Sequence, residues 1–292
     1  MNRIELFKEE FIEENKDLAL EVLAASSRMG IKLGWHYLLD LIWILKNINY
    51  PKGSIVLDAG AGNGLLQFML TDRGYKVISA DVFNRSIPKF ASGLYEIKLM
   101  GDSGEISHSY WEGRSKGITY PKDSGNYITE YNSDCFDSSS EGNLPVILYY
   151  HCDLADMKEL CDNSVDAVVS VSALEHNPPQ KVKECIKDIS RVLKPNASFY
   201  ITISAVNKGE SFHGPSHSWL LDEKGIMEAY ELEEPLISNF GDFERVFDAL
   251  CNSKYLKRWL ASFYYSGENN GMPWGVWNPQ YQPVGIIKTN NK

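Results

Sequence analysis

Apolar runs alternate with amphipathic segments along most of this 292-residue chain. Six runs are typical of buried strands, and residues 65–74 and 179–193 between them are predicted to be helices. The six strand-like runs are SIVLDAG, YKVISADVF, PVILYYHCD, VDAVVSVSA, ASFYITIS and PVGIIKT. Strands that alternate with helices predict an α/β fold, with a parallel sheet that carries helices on both faces.

Three parts of the chain depart from this alternation. Residues 4–48 have the apolar spacing of two helices with a break near Gly30, which predicts an N-terminal helical cap over residues 1–50. The main domain would then cover residues 51–292. It would contain an insertion of about 84–145, rich in Gly, Ser, Asp and Tyr, which is either a functional lid or disordered. A C-terminal extension of about 205–292 would add helices near 219–230 and 242–260.

Charge and cysteine content narrow the class of protein. The net charge is −10, which argues against nucleic-acid binding because that binding depends on Lys and Arg displacing counterions. The five cysteines have no CxxC spacing, and their odd number fits free thiols in a reducing compartment. The charged N-terminus lacks the apolar core of a secretory signal. We therefore predict a cytoplasmic protein without membrane insertion, since Lys32, His36 and Asp40 interrupt its most apolar early stretch.

A glycine-rich turn follows the first strand of the main domain. VLDAGAGNG places glycines between a strand and a helix, where a ligand can approach the backbone closely. Its spacing is G-x-G-x-G, and Leu65 stands where a nicotinamide-type fingerprint has its third glycine. Asp81 and Asp153 end the next two runs, so all three strand ends would meet at the ligand-binding edge of the sheet. A plain strand-turn-helix remains an alternative for the turn, and a surface carboxylate or helix N-cap for Asp81.

Taken together, these segments resemble the class I S-adenosylmethionine-dependent methyltransferases. The resemblance covers about residues 54–204 and rests on VLDAGAGNG, ISADVF, CDLADM, VDAVVSVSALEH and ISRVLKPNASFYITIS, in the family's order. Its small-molecule branch, typified by quinone-biosynthesis methyltransferases, is most similar because it also has Glu-His after the fourth strand. The resemblance implies a doubly wound, mostly parallel, seven-stranded Rossmann-like sheet and S-adenosylmethionine as the cofactor.

The resemblance also implies a set of cofactor-binding residues. Asp58 and the turn would face the methionine moiety, and Asp81 would bind the ribose. Asp153 and Leu154 would bracket the adenine. Ser172 and Ala173 would line the other side of the cofactor. The long insertion leaves open which residue stacks on the adenine. The complete set is Asp58, Gly60, Ala61, Gly62, Asn63, Gly64, Asp81, Val82, Asp153, Leu154, Ser172 and Ala173.

Histidines are the candidate bases, because methyl transfer to a hydroxyl needs a proton acceptor near neutral pH. His176 follows the fourth strand and could instead close the cofactor pocket through a hydrogen bond. His213 and His217 follow the fifth strand, and Gly214 and Pro215 between them argue against a shared metal. His36 would be a pocket residue only if the N-terminal helices fold over the cofactor, and an ordinary hydrogen-bonded histidine in a helix is favoured.

Other features concern metals and nucleic acid. We expect a helix cap or a solvent-facing carboxylate at Glu175, and no metal, because LEHNPP lacks the carboxylates of catechol-type enzymes. NPPQ, residues 177–180, nearly spells the NPPY element of base-amino methyltransferases. Gln180 cannot stack on a base, however, so the segment is interpreted as a helix start.

The predicted acceptor is a small molecule, with O-methylation favoured and C- or N-methylation possible. The aromatic segment with Trp274, Trp277 and Tyr281 could line its pocket or pack against the sheet. A methyltransferase that modifies a basic peptide and a non-catalytic cofactor-binding regulator are the alternatives. No nucleic-acid partner is expected.

Overall fold

The computed structural model describes residues 1–83, 85, 87–101, 128, 130–139, 143–265, 272 and 277–292, without the side chains of 262–265. In these ranges the chain has a mixed α/β fold with a mostly parallel sheet, which confirms the predicted class. Trp274 and residues 102–127, part of the predicted insertion, lie outside the described residues.

Eleven strands occur in the described part of the chain, where the family resemblance implied seven. They are β1 (Asn2–Leu6), β2 (Ile55–Ala59), β3 (Lys76–Asp81), β4 (Glu96–Gly101), β5 (Val146–His151), β6 (Val165–Val171), β7 (Leu193–Ala205), β8 (Glu210–His213), β9 (Ser218–Leu221), β10 (Leu236–Ser238) and β11 (Gln282–Thr289).

The same ranges contain eight α-helices. They are α1 (Phe11–Glu14), α2 (Lys16–Met29), α3 (Tyr37–Asn47), α4 (Leu66–Asp72), α5 (Pro179–Val192), α6 (Glu223–Ala229), α7 (Phe243–Asn252) and α8 (Lys254–Tyr265). Helix α5 begins at Pro179, as the NPPQ segment predicted. Pro179, in the first turn, lacks an N–H that the helix would leave unpaired in any case.

The chain divides into two compact units. The first unit is Met1–Asn49, Ser170–Lys183 and Phe199–Thr289, and the second is Tyr50–Val169, Glu184–Ser198 and Asn290–Lys292. The predicted boundary between a cap and a methyltransferase domain at residue 50 stays a prediction.

The second unit is built on parallel strands. β2 pairs with β3 and β6, β3 pairs with β5, and β5 pairs with β4, all in parallel. Every residue of β5 is buried, as expected for a strand covered on both faces. The register aligns Ala59 with Ala80 and Asp81 with His151, so the carboxyl ends of three strands meet at one edge. Strand β4 lies within the predicted insertion.

In the first unit, β1 pairs in parallel with β10 and antiparallel with β11. The helical prediction for residues 4–6 was therefore wrong. Buried and partly exposed side chains alternate along β1, which is the period of a strand. Its partners come from the far end of the chain, so no local pattern signals the pairing. The predicted break after α2 is confirmed, because Gly30 ends that helix with a φ of 64°.

The C-terminal helices also begin and end at other residues than predicted. Residues 219–221 belong to β9, which forms an antiparallel hairpin with β8, and the helix starts only at Glu223. The helix expected over 242–260 is split, since Ser253 has extended backbone between α7 and α8. The final strand, β11, is confirmed.

Two general expectations concern membranes and thiols. Within the described ranges, the helices are too short or too polar to cross a membrane. All five cysteines are free thiols, as their spacing predicted.

We predict that Gly285→Ala destabilises the protein, because a Cβ at this position would lie 2.2 Å from Cε2 of Trp43. Trp43 is fully buried, so the ring has no free space into which to move. Overpacking of this kind should lower the free energy of unfolding by about 3 kcal/mol, measured by urea denaturation. Gly241→Ala is the matched control, since its Cβ would meet no atom within 4 Å. Equal stability of the two variants would contradict this account of the packing.

Candidate functional site

The glycine turn of the second unit requires glycine at two positions. Gly60 has a φ of 76° and Gly62 a φ of 50°, in the left-handed region that other residues rarely adopt. The amides of Gly60 and Ala61 donate to the carbonyl of Ala80, at 2.9 and 3.0 Å. The turn is thus attached to the end of β3 before α4 begins.

Asp81, the last residue of β3, is hydrogen-bonded to this turn. Its Oδ2 accepts from the amide of Gly62 at 2.7 Å, and its Oδ1 accepts from the amide of Phe83 at 2.9 Å. The residue is only 6% exposed. Hydrogen bonds from backbone amides to a carboxylate are charge-assisted, so they fix the position of the side chain strongly.

Arg85 is a functional candidate that the sequence did not indicate. Its Nη1 donates to the carbonyl of Gly62 at 2.9 Å and to the Ser79 hydroxyl at 2.6 Å. Its guanidinium lies 4.3 Å from the centre of the Tyr149 ring, and only 4% of the residue is exposed. Arg85 lies in the irregular segment after Asp81, and Tyr149 becomes its neighbour only through the pairing of β3 with β5.

Gln67 supports the same turn from α4. It donates to the carbonyl of Gly64 at 2.9 Å and accepts from the Ser79 hydroxyl at 2.7 Å. Gln67 and Ser79 are both fully buried. These bonds satisfy buried polar groups and hold the turn at a defined distance from β3.

Asp58 is a buried carboxyl in this group. Its pKa is raised to about 7, mainly by burial; the charge of Arg85 opposes this effect, and the charge of Asp81 adds a smaller increase. The side chain therefore exchanges a proton near neutral pH. A buried carboxyl with a perturbed pKa beside a glycine turn is typical of a functional site.

Asp153 and its neighbours follow β5 at the same edge. Asp153 Oδ1 accepts from the amide of Ala155 at 2.9 Å, and both Asp153 and Leu154 are partly exposed. His151 Nε2 donates to the carbonyl of Val82 at 3.0 Å. The structure therefore brings the turn, Asp81, Val82, Asp153 and Leu154 to the edge where the sequence predicted them.

These residues fit an adenosyl cofactor with a charged amino-acid end. The turn offers backbone without side chains, and a Cβ on Gly64 would lie 2.9 Å from the carbonyl of Ala61. Asp81 offers a carboxylate beside this backbone. Carboxylates at this edge are suited to ribose hydroxyls and to a positively charged amino group.

Ser172 and Ala173 belong to the first unit, where Ser172 contacts a buried carboxyl group. The Ser172 hydroxyl donates to Asp40 Oδ2 at 3.4 Å. Ser172 has a φ of 43°, a backbone conformation unusual for serine. Such strained residues are frequent at functional sites.

Glu175 is neither a helix cap nor a solvent-facing carboxylate, so that expectation was wrong. It lies in a short 3-10 turn after β6, and 3% of it is exposed. Burial raises its pKa to about 8; hydrogen bonds from backbone amides oppose this effect, and the nearby charge of Asp40 adds to it. The protonated form of Glu175 is thus favoured near neutral pH.

The predicted bases His176, His213 and His217 all lie in the first unit. His176 Nδ1 donates to the carbonyl of His217 at 2.8 Å. His213 has both ring nitrogens bonded, to the hydroxyl of Ser216 and to Oε1 of Gln280, each at 2.7 Å. His217 is exposed in the turn between β8 and β9.

An aromatic group surrounds Tyr281. Its hydroxyl accepts from Nε1 of Trp35 at 3.2 Å, and its ring lies 5.7 Å from that of His36 and 5.6 Å from that of His213. Tyr281 is 3% exposed, and burial raises the pKa of its hydroxyl. Trp277 contacts the Trp35 ring at 6.1 Å. Tyr281 and Trp277 thus contact other aromatic side chains of the first unit, and their role in an acceptor pocket stays a prediction.

Metal ligands were searched for in the described residues. No group of three or more His, Cys, Asp or Glu side chains there could hold a metal ion. The absence of a metal stays a prediction.

Comparison with known proteins adds a family assignment for part of the chain. Residues 127–201 match the family described as "Methyltransferase domain". They include β5, β6, α5 and most of β7, and thus Asp153, Ser172 and His176 among the candidates. No curated protein matches the sequence.

Three solved structures are similar to this chain. A Pyrococcus horikoshii OT3 protein is 20% identical over 59% of this chain and 55% of its own, with a TM-score of 0.35. Phosphoethanolamine N-methyltransferase 2 of Haemonchus contortus is 12% identical over 97% and 60%, with a TM-score of 0.48. Geranyl diphosphate C-methyltransferase of Streptomyces coelicolor A3(2) is 10% identical over 86% and 75%, with a TM-score of 0.46. This chain thus spans little more than half of the first two proteins.

The match to a methyltransferase domain covers only residues 127–201. These residues overlap the segment 54–204, which carries the resemblance to class I S-adenosylmethionine-dependent methyltransferases. The resemblance to the quinone-biosynthesis branch stays a prediction.

The raised pKa of Asp58 predicts a pH-dependent stability. Between its ordinary pKa near 4 and about 7, the unfolded chain releases the proton that folded Asp58 keeps, so stability falls as the pH rises. From about pH 5 to pH 7, the free energy of unfolding should fall by about 2 kcal/mol more in the wild type than in Asp58→Asn. Urea denaturation across this range measures the difference, with the exposed Asp162→Asn as control. Parallel pH profiles of wild type and Asp58→Asn would contradict the assignment.

Proposed function

We propose that this protein transfers a methyl group from S-adenosylmethionine to a small-molecule acceptor. The observation that carries the proposal is the glycine turn of the second unit, closed by the 2.7 Å hydrogen bond from Gly62 to Asp81. It combines the backbone and the carboxylate that an adenosyl cofactor needs at the carboxyl edge of a parallel sheet. The match of residues 127–201 to a methyltransferase domain supports the same reaction.

The second unit supplies most of the proposed cofactor contacts. The turn, residues 60–64, and Asp58 would hold the methionine moiety, Asp81 with Val82 the ribose, and Asp153 with Leu154 the adenine. Ser172 and Ala173, in the first unit, stay predictions as cofactor contacts. Bound at this site, the cofactor supplies an activated methyl group. The protein contributes orientation and, for a hydroxyl acceptor, a proton acceptor.

The first unit offers groups for an acceptor. Tyr281, Trp35 and Trp277 form an apolar aromatic group, while Asp40 and Glu175 add buried carboxyl groups beside it. Apolar walls with a few polar anchors are typical of sites for small organic ligands. O-methylation is favoured because histidines lie next to these groups. His176, His213 and His217 stay predictions as catalytic residues.

A basic peptide is the second candidate acceptor, and one observation favours it. The chain has 39 acidic and 29 basic residues, and this excess of negative charge attracts a positively charged substrate. A non-catalytic regulator that binds the cofactor is the remaining alternative.

The cofactor site is tested by Asp81→Ala. Loss of the carboxylate removes both the proposed ribose contact and the hydrogen bond that positions Gly62. The Kd of S-adenosylhomocysteine, measured by calorimetry, should rise more than about tenfold, which corresponds to about 1.4 kcal/mol. Asp162→Ala, an exposed carboxylate of the same unit, should leave the Kd unchanged. An unaltered Kd in Asp81→Ala would remove Asp81 from the cofactor site.

The reaction is tested with a radiolabelled methyl group. The wild type is incubated with labelled S-adenosylmethionine and with small phenols, small amines or a lysine-rich peptide, and label on a small acceptor supports the proposal. Label only on the peptide would favour the second candidate. Tight cofactor binding without transfer to any acceptor would favour the regulator, and binding of a nicotinamide cofactor instead would overturn the cofactor assignment.

A further inference from the structure

A buried arginine contacts the glycine turn of the second unit. Arg85 lies in the irregular segment that follows β3, and only 4% of it is exposed. Arginine is almost never fully buried unless its charge and its N–H groups have partners. The partners of Arg85 therefore indicate why a permanent positive charge lies at this place in the fold.

We propose that Arg85 is a positioning residue of the cofactor site, which holds the glycine turn by the carbonyl of Gly62 and supplies the positive charge beside Asp58. The inference rests on the proposed function, since it assumes that Asp58 and the turn bind the methionine moiety of the cofactor. Arg85 acts through these two groups and need not touch the cofactor itself.

Gly62 is held from both sides by residues that follow one another closely in the chain. Its amide donates to Asp81 Oδ2 at 2.7 Å, and its carbonyl accepts from Arg85 Nη1 at 2.9 Å. Gly62 has a φ of 50°, and a glycine in this region is free to take other conformations unless its polar groups are bound. Asp81 and Arg85 thus fix the direction in which the turn presents its backbone.

Ser79 attaches the guanidinium to β3. Arg85 Nη1 donates to the Ser79 hydroxyl at 2.6 Å, and Nη2 donates to the Ser79 carbonyl. The Ser79 hydroxyl donates in turn to Oε1 of Gln67 at 2.7 Å. Because the guanidinium is planar and its N–H groups point in fixed directions, these bonds leave it one orientation. The carbonyl of Gly62 is therefore held at a defined distance from β3.

Asp58, Ser79 and Tyr149 form a polar row across the sheet. The parallel register pairs Asp58 of β2 with Ser79 of β3, and Ser79 with Tyr149 of β5. Paired residues of neighbouring strands point to the same face of a sheet, so the three side chains lie side by side. All three residues are buried. Strands covered on both faces are normally apolar, so a buried polar row needs a partner for its polar groups.

Arg85 is a partner that the whole row shares. Its guanidinium bonds Ser79 and lies 4.3 Å from the centre of the Tyr149 ring. Burial raises the pKa of Asp58 to about 7, and the charge of Arg85 is the effect that opposes this increase. A nearby opposite charge favours the ionised form of a carboxyl group. Arg85 therefore increases the share of Asp58 that is ionised near neutral pH.

The other titratable groups that face Asp58 are Asp81 and Tyr149. The charge of Asp81 adds a smaller increase to the pKa of Asp58. Burial raises the pKa of the Tyr149 hydroxyl to about 12, so this side chain stays neutral. Gln67, which reaches the row from α4 through Ser79, does not titrate. Among the described residues, Arg85 is the positive charge that acts on Asp58.

The ionised form of Asp58 is the one that suits the cofactor. The amino-acid end of S-adenosylmethionine carries an ammonium group, which only donates hydrogen bonds and binds a negatively charged acceptor most strongly. Without Arg85, a larger share of Asp58 would be protonated at neutral pH. Cofactor affinity should therefore rise with pH as Asp58 loses its proton, and Arg85 should lower the pH at which this affinity is gained.

The effect on Asp58 is tested without any cofactor. The carbon-13 shift of the Asp58 carboxyl group, followed across the pH range, should show a midpoint near pH 7 in the wild type. In Arg85→Gln the midpoint should rise by at least about one pH unit, because the opposite charge is lost. Arg191→Gln is the matched control, since Arg191 also bonds two carbonyls of the second unit, those of Leu160 and Met157. An unchanged midpoint in Arg85→Gln would overturn the inference.

Cofactor binding tests the positioning of the turn. The Kd of S-adenosylhomocysteine is measured by calorimetry across the same pH range. Near pH 7, Arg85→Gln should raise this Kd more than about tenfold, and the fall of the Kd should move to higher pH. Arg85→Lys should keep the pH dependence of the wild type and raise the Kd by a similar factor at every pH. Lysine keeps the charge but has no planar fork to bond Gly62 and Ser79 together. Arg191→Gln should bind as the wild type does.

The outcomes separate a role in the cofactor site from a role in folding. If both Arg85 variants have a lower Tm but bind S-adenosylhomocysteine with the Kd and the pH dependence of the wild type, Arg85 only stabilises the fold and the proposed function stands. If Arg85→Gln does not fold, a wild-type Kd in Arg85→Lys overturns the positioning role. If the wild type does not bind S-adenosylhomocysteine at any pH, the proposed function fails and the inference with it.

Discussion

The hydrogen bond between the amide of Gly62 and the carboxylate of Asp81 depends on the parallel pairing of β2 with β3. That pairing brings the end of one strand next to the turn that follows the other. A turn with two left-handed glycines is loose by itself, since glycine loses more conformational freedom on folding than any other residue. Fixing it needs a strong acceptor at a defined place, and the last residue of β3 provides one. Gln67 and Arg85 then bond the carbonyls of the same turn, so its amides and its carbonyls both have partners.

The buried carboxyl groups of the two units have different partners. In the second unit, Asp58 and Asp81 are accompanied by Arg85, whose charge is permanent, and burial raises the pKa of Asp58 to about 7. In the first unit, Asp40 and Glu175 have no arginine or lysine partner among the described residues. Asp40 instead contacts the imidazole of His36, and burial raises the pKa of Glu175 to about 8. The first unit therefore compensates its buried carboxyl groups without a permanent positive charge among the described residues.

Local patterns in the sequence predicted much of the fold. The strands β2, β3, β5, β6, β7 and β11 are continuous apolar runs, because strands covered on both faces need no polar alternation. β1 was missed for the opposite reason: it is short and half-polar, and it is stabilised by strands from the other end of the chain. The hairpin of β8 and β9 contains few apolar residues in its first strand, so periodicity could not distinguish it from a loop.

The residues of the candidate site that belong to a sequence motif were predicted. Those that only tertiary packing brings together were missed. Asp58, the glycine turn and Asp81 follow one another at fixed spacing after strands, so their common edge follows from the fold class alone. Arg85 has no such spacing, and its partners come from α4's preceding turn, β3 and β5. The spacing of His36 and Asp40 was visible as an i, i+4 pair. That both residues of the pair are buried is a result of tertiary packing, which the apolar helix around them only suggests.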